Sequence, residues 1–138
     1  MSEVAPQTQP ETVTSERPWG GFRQYCLNAP TTVKIIEVSA GGTLSLQRHV
    51  HRAELWVALD ETLEVRVGDR TWRPARHEEI WIPPGAIHRL SAPGHEGGRI
   101  VEVAFGHFDE SDIERLEDVY NRTSRPPADD PSGAQRPR

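Results

Sequence analysis

The sequence predicts a single all-β domain, a small antiparallel sandwich or barrel, finished by one C-terminal helix. Three observations carry this. Short runs rich in Val, Ile, Thr, Leu and Trp recur through the middle of the chain. Several alternate apolar and polar residues, as Thr62 to Val67 (TLEVRV) does. Turn formers separate the runs every few residues: Asn28-Ala29-Pro30, Gly41-Gly42, Asp60-Glu61, Gly68-Asp69 and Pro83-Pro84-Gly85.

Taken in order, Phe22 to Leu27 reads as a strand behind Arg17-Pro18-Trp19-Gly20-Gly21. Thr31 to Ser39 is β-branched and extended, and Thr43 to His49 alternates. Glu54 to Leu59, Thr62 to Val67, Thr71 to Arg73, Ile80 to Ile82, Ile87 to Ser91 and Arg99 to Phe105 follow as strands. The helix rests on Ser111-Asp112-Ile113-Glu114, which has the form of a capping box. Ile113, Leu116 and Tyr120 then follow at helical spacing.

A chain of 138 residues has room for one core. Its 35% hydrophobic content is low, and the ends explain part of the deficit. Residues 1–15 and 123–138 hold too little apolar surface to offset ordering entropy and are expected to be disordered tails, leaving 16–122 as the domain. The net charge of -5, with no basic stripe, argues against nucleic acid. Cys26 is the single cysteine, so neither an internal disulfide nor a Cys-based zinc cluster can form. No apolar run is long enough for a bilayer, so a cytoplasmic protein without membrane contact is expected.

The chemistry concentrates in Gly41 to Glu54 (GGTLSLQRHVHRAE) and Pro83 to His88 (PPGAIH). On a strand, residues two apart point the same way, so Gln47, His49 and His51 share one face. Glu54 follows over a turn and His88 comes from a separate strand. Imidazole nitrogens with carboxylate and amide oxygens suit a divalent transition metal. Trp19, Trp56, Trp72 and Trp81 read as packing residues before sugar platforms, and Cys26 as a small buried residue.

These two segments resemble the paired motifs of the cupins. Counting from Gly41 and back from Glu54 selects Gln47 and His49 as the strand pair, with Gln47 where the usual cupin has a His. Glu61 and His77 replace turn glycines of the two motifs. Further short matches run in order: Arg17-Pro18-Trp19-Gly20, Leu44-Ser45-Leu46-Gln47, His51-Arg52-Ala53-Glu54, His88-Arg89-Leu90 and Ile100-Val101-Glu102-Val103. With Asp112 to Tyr120 they are similar to the cupin domain of type II mannose-6-phosphate isomerases, which usually sits behind a mannose-1-phosphate guanylyltransferase domain. No counterpart of that second domain is present in this sequence.

The resemblance implies a jelly-roll barrel, or double-stranded β-helix. It implies a metal-dependent isomerase that interconverts mannose 6-phosphate and fructose 6-phosphate through an enediol, in the supply of GDP-mannose. The metal would be zinc on Gln47, His49, Glu54 and His88. Glu102 and His51 are the candidate acid/base groups, and Lys34 and Arg89 the candidate cations for the phosphate, with Arg89 also a candidate at the reaction centre. His51 remains open as a ligand, a supporting group or a proton carrier. Ala104, Ala92 and Ile35 stand where the family typically carries Gln, Asn and a basic residue, which removes polar contacts for a substrate. The alternative is a non-catalytic cupin that binds a sugar phosphate or nucleotide sugar, or partners a separate guanylyltransferase. A homodimer through sheet edges is expected.

Overall fold

The structure, a computed structural model, describes residues 4–120. The strands are β1 (Val13–Arg17), β2 (Gly20–Gln24), β3 (Thr31–Val38), β4 (Leu46–Arg48), β5 (Arg52–Ala58), β6 (Glu64–Val67), β7 (Arg70–Trp72), β8 (Glu79–Ile82), β9 (His88–Ser91), β10 (Gly98–Gly106) and β11 (Glu114–Glu117). β1 and β2 form a hairpin. The others make a four-stranded sheet in the order β3-β10-β5-β8 and a five-stranded sheet in the order β11-β4-β9-β6-β7. All pairings are antiparallel, and the two sheets face each other as a jelly roll. No helix long and apolar enough to cross a membrane occurs among the described residues.

Alternation decides which side chains enter the sandwich. On β3, Ile36 and Val38 are buried, while Val33 and Ile35 are exposed. On β10, Ile100, Glu102 and Ala104 point inward. Cross-strand rows therefore run Lys34–Glu102–Trp56–Ile80 and Thr32–Ala104–Glu54–Ile82. Ile36, Val38, Leu44, Trp56, Leu63, Val65, Ile80, Ile82, Leu90 and Ile100 fill the space between the sheets. A second cluster, Leu55, Val57, Val103 and Phe105, lies on the outer face of the four-stranded sheet under Tyr25 and Cys26.

The structure corrects four expectations. Ser111 to Tyr120 is not helical; it makes a turn and then β11, which pairs with β4. The polar groups read as a capping box bond elsewhere. Asp109 takes the Ser111 amide and hydroxyl, and the Asp112 carboxylate takes the amides of Val50 and His51. Such side-chain bonds compete with helix formation. Second, residues 4–15 are held against the barrel. Ala5 is buried, the Gln7 carbonyl accepts from Trp81 Nε1, Gln9 donates to Glu79, and β1 begins at Val13. Polar contacts and hairpin pairing, which composition does not report, order this segment. Third, Trp19 is 74% exposed at the hairpin tip, so it is no core residue. Fourth, Cys26 is only half-buried. The tail expected at 123–138 lies outside the described residues.

Candidate metal centre

The centre sits between the sheets at one end of the barrel. His49 follows β4, His88 opens β9, and Glu54 comes from β5 in the opposite sheet. One ligand atom from each of the three lies within 4.8 Å of the others. Glu54 Oε2 is 3.3 Å from His49 Nε2, and Glu54 Oε1 is 3.8 Å from His88 Nε2. Gln47 stands opposite His88 in the β4–β9 register and is buried beside them.

Backbone carbonyls settle the state of both rings. A carbonyl only accepts, so His49 Nδ1, at 2.6 Å from the Asp112 oxygen, carries the proton. His88 Nδ1 is held in the same way by the Ala86 oxygen at 3.0 Å. In a neutral imidazole this leaves each Nε2 with a bare lone pair turned to the centre, the arrangement found in metal-ligating histidines. Burial pushes the His88 pKa down to about 4, with the Glu54 charge opposing and His49 and Arg52 assisting, so His88 is neutral at pH 7. Burial raises the Glu54 pKa, but the contact with His49 and the permanent positive charge of Arg52 outweigh that and hold it well below its ordinary value.

Neighbouring groups orient the donors. Trp56 Nε1 donates to Glu54 Oε1 at 3.0 Å. The Gln47 amide donates to the Ser45 hydroxyl at 3.1 Å, which leaves its carbonyl oxygen as the donor atom for a metal. Arg52 Nε donates to Glu54 Oε2 at 3.0 Å, and Arg52 Nη2 approaches His49 Nε2 at 3.2 Å. The donor set, two bare imidazole nitrogens, a carboxylate and an amide, fits a divalent transition metal.

Of the remaining sequence candidates, Glu102 lines the same small cavity, with its Oε2 3.8 Å from Lys34 Nζ. Lys34 stands at the barrel mouth, 3.6 Å from Glu110 and above the Phe108 ring. His51 is exposed and borders a different hollow, with Val4, Gln7 and His107. Arg89 points out of the barrel, donating to the Leu44 carbonyl and to Glu117. Neither stands among the residues lining the centre.

Sequence reasoning missed Arg52, Trp56, Phe108 and Asp112 as parts of this site. Strand parity was the available signal for the first two, because Arg52, Glu54 and Trp56 lie two apart on β5. Phe108 and Asp112 lie in a loop whose path no periodicity reports.

The family described as "Mannose-6-phosphate isomerase C-terminal" matches residues 6–118. The chain belongs to this family. Its members are proteins of sugar metabolism. It is 42% identical over 111 residues to the alginate biosynthesis protein AlgA of Pseudomonas aeruginosa, which covers 80% of this chain and 23% of AlgA. It is 42% identical over 108 residues to the xanthan biosynthesis protein XanB of Xanthomonas campestris pv. campestris, covering 78% and 23%. The mannose-1-phosphate guanylyltransferase ManC of Salmonella typhimurium is 38% identical over 107 residues, covering 77% and 22%. The chain thus spans less than a quarter of the length of these relatives. Among solved structures, a dTDP sugar isomerase from Desulfovibrio desulfuricans G20 superposes with a TM-score of 0.58 at 16% identity, covering 79% of this chain and 82% of that one. A cupin-2 domain from Rhodospirillum rubrum does so with 0.54 at 19%, covering 77% and 79%. Those two likenesses establish the cupin fold.

The expectation that this chain is itself a mannose-6-phosphate isomerase is corrected. The match falls on a small part of longer relatives, one of them named a guanylyltransferase, and an activity of those whole proteins does not pass to this part. The cavity lined by the residues of the centre is about 10 Å³.

Proposed function

We propose that this chain is a zinc-binding cupin module of the cytoplasm that receives a phosphorylated sugar or nucleotide sugar at its barrel mouth, in partnership with a guanylyltransferase. The observation that carries the reading is the convergence of His49, Glu54 and His88 within 4.8 Å, with both imidazole Nδ1 atoms held by carbonyls. Gln47 completes a donor set of the kind zinc takes. A divalent metal bound there supplies Lewis acidity toward an oxygen-bearing ligand.

This chain's own residues suit an anion at the entrance. Lys34, 4.8 Å from the Phe108 ring centroid and partly exposed, places a cationic group there. The printed names of the relatives, which concern polysaccharide biosynthesis and mannose-1-phosphate guanylyl transfer, favour a sugar ligand. Exposed Val33 and Ile35 on the edge strand β3 favour a homodimer.

Thermal midpoints measured with zinc and each of mannose 1-phosphate, mannose 6-phosphate and GDP-mannose test the reading. Retention of zinc and a rise in midpoint with at least one ligand are expected. A chain that binds no metal after zinc loading and gains no stability from any of the three overturns it.

A further inference from the structure

We propose that Arg52 is the resident cation of the centre, and that a divalent metal reaches Glu54 and His49 only by displacing the Arg52 guanidinium. This rests on the metal-binding reading above. Arg52 is 2% exposed, inside the ring of presumptive ligands rather than behind it. Its Nε donates to Glu54 Oε2, and its Nη2 faces the bare Nε2 of His49. These are the same oxygen and nitrogen that the metal cluster brings together. A guanidinium has donors only and does not lose its proton in a protein, so both lone pairs are engaged by a permanent positive charge. A second cation at those atoms meets like-charge repulsion in a poorly solvated interior.

The arrangement is also displaceable. Arg52 is held at the centre by two hydrogen bonds, and Nη1 makes none. Its guanidinium also lies over the face of the Phe108 ring, 4.2 Å from Cζ, a contact with no fixed hydrogen-bond geometry to break. The resident charge has a clear role in the metal-free protein. Glu54 is buried and ionised, and without a cation beside it the carboxylate is uncompensated. Arg52 thus stabilises the empty centre and sets a threshold that only a tightly held divalent ion passes.

The competing arrangement is a fixed support, in which Arg52 stays on Glu54 and strengthens it as a ligand. The two make opposite demands on metal affinity. The full chain is stripped with chelator, and zinc affinity is measured by competition with a chromophoric chelator for the native protein, Arg52→Gln and Arg52→Lys. Thermal midpoints are taken with and without zinc on the same samples. Displacement requires Arg52→Gln to bind zinc on the order of tenfold more tightly than native protein, the equivalent of losing one charged hydrogen bond of competition. Its midpoint should fall without zinc and recover most of the loss with zinc. Arg52→Lys keeps the charge with fewer donors and should lie between; it carries the test if Arg52→Gln does not fold. Equal or weaker zinc binding by the variants, with native binding intact, overturns the displacement proposal and leaves the metal reading standing. No zinc binding by native protein or variants overturns both.

Discussion

Gln47 of β4 stands directly opposite His88 of β9, so the two sequence segments that carry the ligands are joined in one sheet. That pairing makes the strand residue Gln47, and not exposed His51, the neighbour of the centre. His49→Ala and His88→Ala should each reduce zinc below stoichiometric occupancy after dialysis, Gln47→Ala should lower it less, and His51→Ala should leave it unchanged. Elemental analysis of the four purified proteins checks this, and loss of zinc from His51→Ala would contradict it.

The indole of Trp56 fixes one oxygen of Glu54 at 3.0 Å. Trp56→Phe keeps most of the packing and removes that donor. A hydrogen bond to a charged group contributes roughly 1.5–3 kcal/mol, and the metal-free protein should lose about that much stability in urea titration. Zinc affinity should fall on the order of tenfold or more as the carboxylate loses its orientation.

Acidification should destabilise the metal-free protein. The folded-state pKa of His88 is lowered to about 4 from an ordinary value of 6.5. Between those values the unfolded chain binds the proton and the folded chain does not, so stability falls as pH drops through that window. The loss amounts to roughly 3 kcal/mol at most. Glu54 acts with the same sign at lower pH, because its folded-state pKa is depressed and its contribution is lost as it protonates. Urea midpoints from pH 7 to 4 should show the slope, and His88→Gln should flatten its upper part. A flat native profile would count against a neutral buried His88.

Gly106 ends β10 with φ at +97°, and a Cβ there would lie 2.5 Å from the His51 carbonyl oxygen. Gly106→Ala should therefore cost about 1–3 kcal/mol through strain and collision. Leu55→Ala, on the outer face of the same sheet and fully buried, should cost about 2–5 kcal/mol through a cavity. Denaturant midpoints measure both, and zinc content should be unchanged in Leu55→Ala.

Much of the barrel was legible because it depends on alternation. Thr62 to Val67 shows in the sequence which side faces in; in Arg99 to Phe105 alternation groups Glu102 with Ile100 and Ala104 but leaves the inward face open, because Val101, Val103 and Phe105 on the other side are also apolar and pack on the outer face. The position of Arg89 outside the barrel followed from the same rule applied to His88. What was not legible depends on contacts between distant segments. Ser111 to Glu114 has the letters of a helix start, yet Asp112 is spent on the amides of Val50 and His51, a sequence separation no local pattern spans. Ala5 to Gln9 looked too polar to order, and it is held by single bonds to Trp81 and Glu79 on β8. Arg52 was singled out only within the His51-Arg52-Ala53-Glu54 match; parity with Glu54 places it on the inward face, but the need for its charge there depends on the buried Glu54 carboxylate.

The candidate ligands come from both leaves of the sandwich: Glu54 from the four-stranded sheet, and Gln47, His49 and His88 from the five-stranded one and the turn beyond β4. An ion held there would act as a rivet between the leaves. Its binding free energy then opposes their separation and becomes part of the work of unfolding. Amide protection should rise on zinc loading in β5 and β9 together, including residues far along each strand from the centre, while the β1–β2 hairpin, fastened from outside, should exchange at its former rate.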